Sequence, residues 1–207
     1  MATFLATEAG FQVYQGQALL DLDRPRLVSA LSDFAESLRR DDIVVFYFAG
    51  HGLERQGLNY LIPINFAGQN AAQLPYEAPT AQDIQKQLLA GEPSMLIMIL
   101  DACRDLPEAF KSLRGRAGGS GLGFMNAVPS TPAQQVIMFA TAPGTVASDG
   151  ENLGNGTFTY CFLRTFQQPG LDSRVAFGDV VQCVLDNTDR KQSPFLVTSQ
   201  RQKFVFK

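Results

Sequence analysis

Two stretches decide the fold: Ile43-Val44-Val45-Phe46-Tyr47-Phe48-Ala49-Gly50-His51-Gly52 and Met95-Leu96-Ile97-Met98-Ile99-Leu100-Asp101-Ala102-Cys103-Arg104-Asp105. Each is a continuous apolar run that gives way to small and polar residues. Neither alternates apolar with polar, so each reads as a strand buried on both faces. Parallel sheets covered by helices produce such runs. Each run also ends on a reactive side chain, His51 on the first and Cys103 on the second. His51 is the only histidine of the chain. If the two strands are parallel neighbours, an imidazole and a thiol meet at one rim of the sheet. Nucleophilic cysteine chemistry needs that, because a thiol of ordinary pKa, about 8.5, requires a base beside it.

The rest of the chain supplies the crossovers. Phe11 to Tyr14 reads as a short strand, entered from a helical remnant through Gly10. Asp23 is placed to cap a helix running to about Arg40, with Pro25 in its first turn. Leu27, Leu31, Phe34 and Leu38 give that helix one apolar face. Asn59 to Ile64 is a short extended segment closed by Pro63. Thr80 caps a helix to about Ala90, ended by Gly91-Glu92-Pro93. Gln135 to Ala140 is a further buried strand. Helices follow at about 157–167 and 176–189, and Lys203 to Phe206 reads as a last strand. The expectation is one α/β domain over residues 1–207. It is a three-layer α-β-α fold with a mostly parallel sheet. Sites in such sheets lie beyond the carboxyl ends of the strands. The basic, glycine-rich segment Arg114 to Gly123 reads as an exposed loop between a part of about 1–113 and a part of 124–207.

Composition excludes several classes. With 17 Lys and Arg against 20 Asp and Glu the net charge is −3, and the basic residues gather on no one face. Nucleic acid is therefore not an expected partner. No apolar run approaches the roughly 20 residues needed to span a bilayer. The first residues lack the charged flank and apolar core of a signal peptide, so a cytoplasmic location without membrane contact is expected. The three cysteines, Cys103, Cys161 and Cys183, fit neither a zinc site nor a disulfide framework by spacing. With one histidine, a Cys/His metal centre is not expected, nor is any cofactor. No dense acidic cluster suggests a calcium cage. Cys161 and Cys183 lie among Tyr160, Phe162, Val181 and Val184 and read as core. Cys103 is surrounded by Asp101, Arg104 and Asp105. Gly50 and Gly52 flank His51 and permit a close backbone approach, with an N–H beside the imidazole.

Phe46 to Gly52, followed by Asn59-Tyr60-Leu61-Ile62-Pro63, resembles the histidine motif of the caspase-like peptidases. Leu100-Asp101-Ala102-Cys103-Arg104 resembles their cysteine motif. Cys103 follows His51 by about 50 residues, the separation found in caspases. Asp two residues before the cysteine resembles the metacaspase and paracaspase branches. Phe139-Ala140-Thr141-Ala142-Pro143-Gly144, leading to Ser148-Asp149-Gly150, is similar to the strand and loop after the cysteine in bacterial members and paracaspases. Gln192-Ser193-Pro194 with Phe204-Val205-Phe206 resembles the C-terminal end of bacterial members. The resemblance runs from about Phe4 to Phe206. It starts short of the strand and helix that open the fold in relatives, where a further acidic residue of the specificity pocket resides.

The resemblance implies a cysteine endopeptidase with Cys103 as nucleophile and His51 as its acid–base partner. The N–H groups of Gly52 and Cys103 would form the oxyanion hole. Asp101 and Asp149 would make an acidic S1 pocket suited to Arg or Lys, because a carboxylate pair matches a guanidinium fork. Protein or peptide substrates are the expected partners, with the chain a monomer or homodimer. Self-cleavage after Arg114 or Arg116 is a further expectation, since relatives are often cut there. The rival reading is a weak or inactive homologue serving as an interaction module. An α/β hydrolase lacks support, because no G-x-S-x-G elbow is present.

Overall fold

The computed structural model describes residues 1–103, 122–123, 125–128, 131–142 and 156–206. Five strands among them form one sheet: β1 (Ile43–Arg55), β2 (Leu58–Ile62), β3 (Met95–Cys103), β4 (Gln134–Phe139) and β5 (Phe195–Thr198). Their order across the sheet is β2-β1-β3-β4-β5. The pairs β1–β3 and β3–β4 are parallel, and the outer pairs β1–β2 and β4–β5 are antiparallel. The three central strands are the three apolar runs of the sequence. Ile97, Met98, Ile99, Val136 and Met138 are at most marginally exposed, as strands covered on both faces must be.

Helices α1 (Ala2–Thr7), α2 (Arg24–Ser37), α3 (Leu74–Glu77), α4 (Ala81–Leu89), α5 (Thr157–Phe166) and α6 (Ser173–Asn187) complete the described elements. The caps read from the sequence are present. Asp23 accepts from the Arg26 N–H at 2.9 Å, and Thr80 accepts from the Asp83 N–H at 3.0 Å. One face of the sheet packs Val44, Leu96, Met98, Leu100 and Ile137 against α2 and α4 through Leu27, Leu31, Ile84 and Leu88. The other packs Ile97, Ile99, Val136 and Met138 against α1, α5 and α6. There an aromatic cluster forms, with Phe166 lying 4.4 Å from both Phe162 and Phe206 between ring centroids. Each buried phenylalanine contributes about 1.5–3 kcal/mol relative to exposure. The result is the expected three-layer arrangement.

Four local expectations need correction. No strand forms at Phe11 to Tyr14; the chain there enters a single 3₁₀ turn at Tyr14–Gly16. β1 does not stop at His51 but runs on to Arg55 and folds back as a hairpin with β2. Its two-residue turn, Gln56-Gly57, has φ of 53° and 78°, the primed geometry that matches strand twist. The glutamine hides a turn that Asn-Gly or Asp-Gly would have announced. The last strand is Phe195–Thr198; Lys203 to Phe206 contributes one isolated bridge, Val205 with Asp172, and buries Phe206 in the aromatic cluster. Finally, Cys161 is a core residue as expected and Cys183 packs partly buried against that core, yet the two are bonded to each other, with Cα atoms 5.7 Å apart. Spacing along the chain conceals this pair, because packing of α5 on α6 brings the two helices together.

Candidate active site

β1 and β3 run parallel in register from Ile43 opposite Met95 to His51 opposite Cys103. Neighbouring strands are about 4.8 Å apart. The last shared rung therefore holds the two residues whose chemistry the sequence singled out. Past this rung β1 continues into the hairpin with β2. His51 is exposed at this rim, and the next two residues, Gly52 and Leu53, are buried.

Strand periodicity then orders the neighbourhood. Tyr47, Ala49 and His51 share one face of β1, with Tyr47 opposite Ile99 and Ala49 opposite Asp101 on β3. This is the face that α5 covers. Asp101 accepts a hydrogen bond at Oδ2 from Thr159 Oγ1 at 2.5 Å. Tyr47 OH lies 2.8 Å from Thr159 Oγ1 and 3.5 Å from Asp101 Oδ2. Thr159 stands in the first turn of α5 and is 5 % exposed. Asp101 is partly buried one step behind the His51–Cys103 rung. Neither Tyr47 nor Thr159 was singled out in the sequence. Tyr47 was reachable, lying four residues before His51 on the same strand face. Thr159 carried no local signal, since it meets Asp101 from 58 residues away along the chain.

Gly52 lies on the opposite face. A Cβ there would come within 2.7 Å of Leu122 Cδ2 and 3.0 Å of the Ala102 Cβ. Glycine is required at this position by close packing of the 122–128 segment on the sheet, in addition to any role of its N–H. That segment is tied down by polar contacts. The Gly123 N–H donates to Asn59 Oδ1 at 2.5 Å, and Gln85 Nε2 donates to the Asn126 carbonyl at 3.1 Å and to Gln135 Oε1 at 2.8 Å. At the end of β4, Gln192 Nε2 donates to the Ala140 carbonyl at 2.8 Å, and the Ala142 N–H to the Ser193 carbonyl at 2.6 Å. Two segments noted separately in the sequence are thus one structural unit beside the rim. Asp149, Arg114 and Arg116 lie outside the described residues.

Among the described residues, no group of three or more His, Cys, Asp and Glu could hold a metal ion. None of the helices they form is long and apolar enough to cross a membrane.

Comparison with known proteins agrees with this fold. A family model described as the caspase domain matches residues 1–205. Over 90 residues the chain is 29 % identical to mucosa-associated lymphoid tissue lymphoma translocation protein 1 of Homo sapiens and to its Mus musculus homolog. Those alignments cover 42 % of this chain and 10 % of each relative, so the chain spans only a small part of their length. Among solved structures, protein GSU0716 from Geobacter sulfurreducens superposes with a TM-score of 0.55 at 12 % identity, covering 87 % of this chain and 74 % of that one. That likeness concerns the fold alone.

Proposed function

The chain belongs to the caspase domain family, and on that premise we propose that it is a cysteine endopeptidase cutting after Arg or Lys through a His51–Cys103 dyad. The observation that carries this reading is the register of β1 and β3, which pairs His51 with Cys103 on the last rung of their parallel ladder. The exposure of His51 supports it, because a substrate must reach the imidazole.

In the proposed reaction His51 takes the thiol proton of Cys103, and the sulfur attacks the carbonyl carbon, forming a C–S bond and moving the carbonyl electrons onto oxygen. The N–H groups of Gly52 and Cys103 receive that oxyanion. His51 protonates the departing amine as the C–N bond breaks. It then takes a proton from water, which attacks the thioester carbonyl and releases the thiolate. Asp101 and Asp149 supply the negative charge that selects a cationic side chain. The same specificity makes Arg114 and Arg116 candidates for self-cleavage in the glycine-rich stretch between β3 and β4.

The test is a fluorogenic assay comparing arginyl, lysyl and aspartyl peptides, with Cys103→Ala as control. Turnover of the arginyl and lysyl peptides, absent in the variant, supports the reading. Faster turnover of aspartyl peptides, or no turnover of any, counts against it, the latter favouring a non-catalytic interaction module. Intact mass after incubation reads out cutting at Arg114 or Arg116. A single uncut species in an active preparation excludes it.

A further inference from the structure

We propose that Thr159 and Tyr47 are positioning residues for the primary specificity pocket: a hydroxyl relay that fixes the Asp101 carboxylate. The proposal rests on the reading of Asp101 as the residue that meets a cationic substrate side chain. The direction of the relay follows from proton counting. An ionised carboxylate only accepts, so the Thr159 hydroxyl donates its single proton to Asp101 Oδ2 across 2.5 Å. Its oxygen is then free to accept, and Tyr47 OH, 2.8 Å away, donates to it. The direct Tyr47–Asp101 separation of 3.5 Å is too long to compete.

The relay ties three elements together. Tyr47 belongs to β1, the strand of His51. Asp101 belongs to β3, the strand of Cys103. Thr159 belongs to the first turn of α5, where the aligned N–H dipoles favour a nearby negative charge. The relay thereby fixes Oδ2 of the carboxylate to groups of α5 and β1. A charge-assisted hydrogen bond to a carboxylate is among the stronger side-chain contacts, and a specificity group works only if its own rotamer is locked by the shell behind it. The nearly complete burial of Thr159 keeps water from substituting for its hydroxyl.

The experiment compares Thr159→Val, which keeps the shape and removes the hydroxyl, with Thr159→Ser, which keeps the hydroxyl, and with Tyr47→Phe. Arginyl peptides are assayed against citrullinyl peptides, which are nearly isosteric and uncharged. Losing the hydroxyl should raise KM for the arginyl peptide about tenfold, with kcat changed little and the citrullinyl peptide unaffected. The rate of Cys103 alkylation by iodoacetamide should stay at the wild-type value. Thr159→Ser should restore the arginyl preference, and Tyr47→Phe should lower it by a smaller factor. A Thr159→Val protein that keeps the wild-type ratio of arginyl to citrullinyl turnover overturns the proposal. So does one that loses both activities equally. If that variant does not fold, Thr159→Ser and Tyr47→Phe decide by the same ratio. A wild-type chain that treats the two peptides alike instead removes the acidic-pocket reading, before any variant is made. Independently of turnover, a crystal structure of Thr159→Val with the Asp101 carboxylate unmoved overturns the positioning role.

Discussion

The Cα atoms of His51 and Cys103 are partners on the last shared rung of two parallel strands. A rung fixes relative position more tightly than two loops could, because each strand is held by its ladder and Met95 to Leu100 of β3 is buried on both faces. The backbone therefore presets how far apart the two residues stand. Removing either one should abolish the same step. Cys103→Ala and His51→Ala are each expected to lower kcat for an arginyl peptide by on the order of 10³-fold or more, and the double variant by no further factor, since members of one catalytic unit are not additive. Steady-state kinetics of the three variants checks this. A double variant much slower than either single one would break the pairing.

Asp101 stands one step behind that rung, and its charge is the expected source of discrimination. Asp101→Asn keeps the shape and the acceptor oxygen for Thr159 but removes the charge. Loss of one partner of a desolvated ion pair costs about 2–5 kcal/mol. In kcat/KM for arginyl peptides that is a fall of between about thirtyfold and several thousandfold. The ratio of arginyl to citrullinyl turnover should collapse with it. An Asn variant that still prefers Arg undiminished would shift the specificity role away from Asp101.

Much of this arrangement could be read from the chain, and the reasons are specific. Ile43 to Phe48 and Met95 to Leu100 are unbroken apolar runs and both form strands; burial on both faces holds for Met95 to Leu100, whereas in Ile43 to Phe48 only Val44 is buried. Asp23 and Thr80 announce their helices by local cap chemistry. Asp101 sits two residues before Cys103, and the period of a strand puts both on one face. What was hidden depends on tertiary contact. Gln56-Gly57 lacks the residue types that mark a primed turn, so the hairpin beyond His51 passed unseen. Phe195-Leu196-Val197-Thr198 is too short to distinguish itself after Pro194. The Thr159–Asp101 contact and the Cys161–Cys183 bond each join segments whose meeting is set by where α5 packs.

The Cys161–Cys183 bond gives a countable outcome. With these two cysteines joined, 22 positions apart in sequence, only Cys103 should react with iodoacetamide in denatured, unreduced protein. All three should react after reduction. Closing a loop of this length stabilises by roughly 3 kcal/mol, so reduction should lower the midpoint of chemical denaturation correspondingly. Three reactive thiols before reduction would show that the bond does not form in the purified protein.

Gly52 provides a test of packing near the site. In Gly52→Ala the new methyl meets Leu122 Cδ2 at 2.7 Å and the Ala102 Cβ at 3.0 Å. Leu122 can swing its branch aside, whereas Ala102 is held in β3. Overpacking of this kind costs about 1–3 kcal/mol, seen as a lower denaturation midpoint. The strain falls on the strand that carries His51, so kcat should fall as well. Unchanged stability and activity together would mean that the 122–128 segment does not press on β1 as described.

The pH dependence of stability has a defined contribution from the start of α6. Asp172 caps this helix by accepting from the Arg174 N–H at 3.0 Å, and its carboxylate is paired with the Arg174 guanidinium. The side-chain hydrogen bond to Arg174, helped by the backbone one, lowers the Asp172 pKa to about 2. In the unfolded chain an aspartate protonates near 3.9. At intermediate pH the unfolded state therefore binds more protons than the native state, and stability falls as pH falls. The contribution is fully present above about pH 4 and is lost by the time pH has dropped through about 2. Asp172→Asn keeps a capping oxygen but loses the charge. Its deficit relative to the wild-type chain should be constant at neutral pH and should shrink progressively between about pH 4 and pH 2. Paired urea titrations across that window measure it. A deficit that stays constant down to pH 2 would mean that the Asp172–Arg174 pair does not hold the carboxylate ionised in solution.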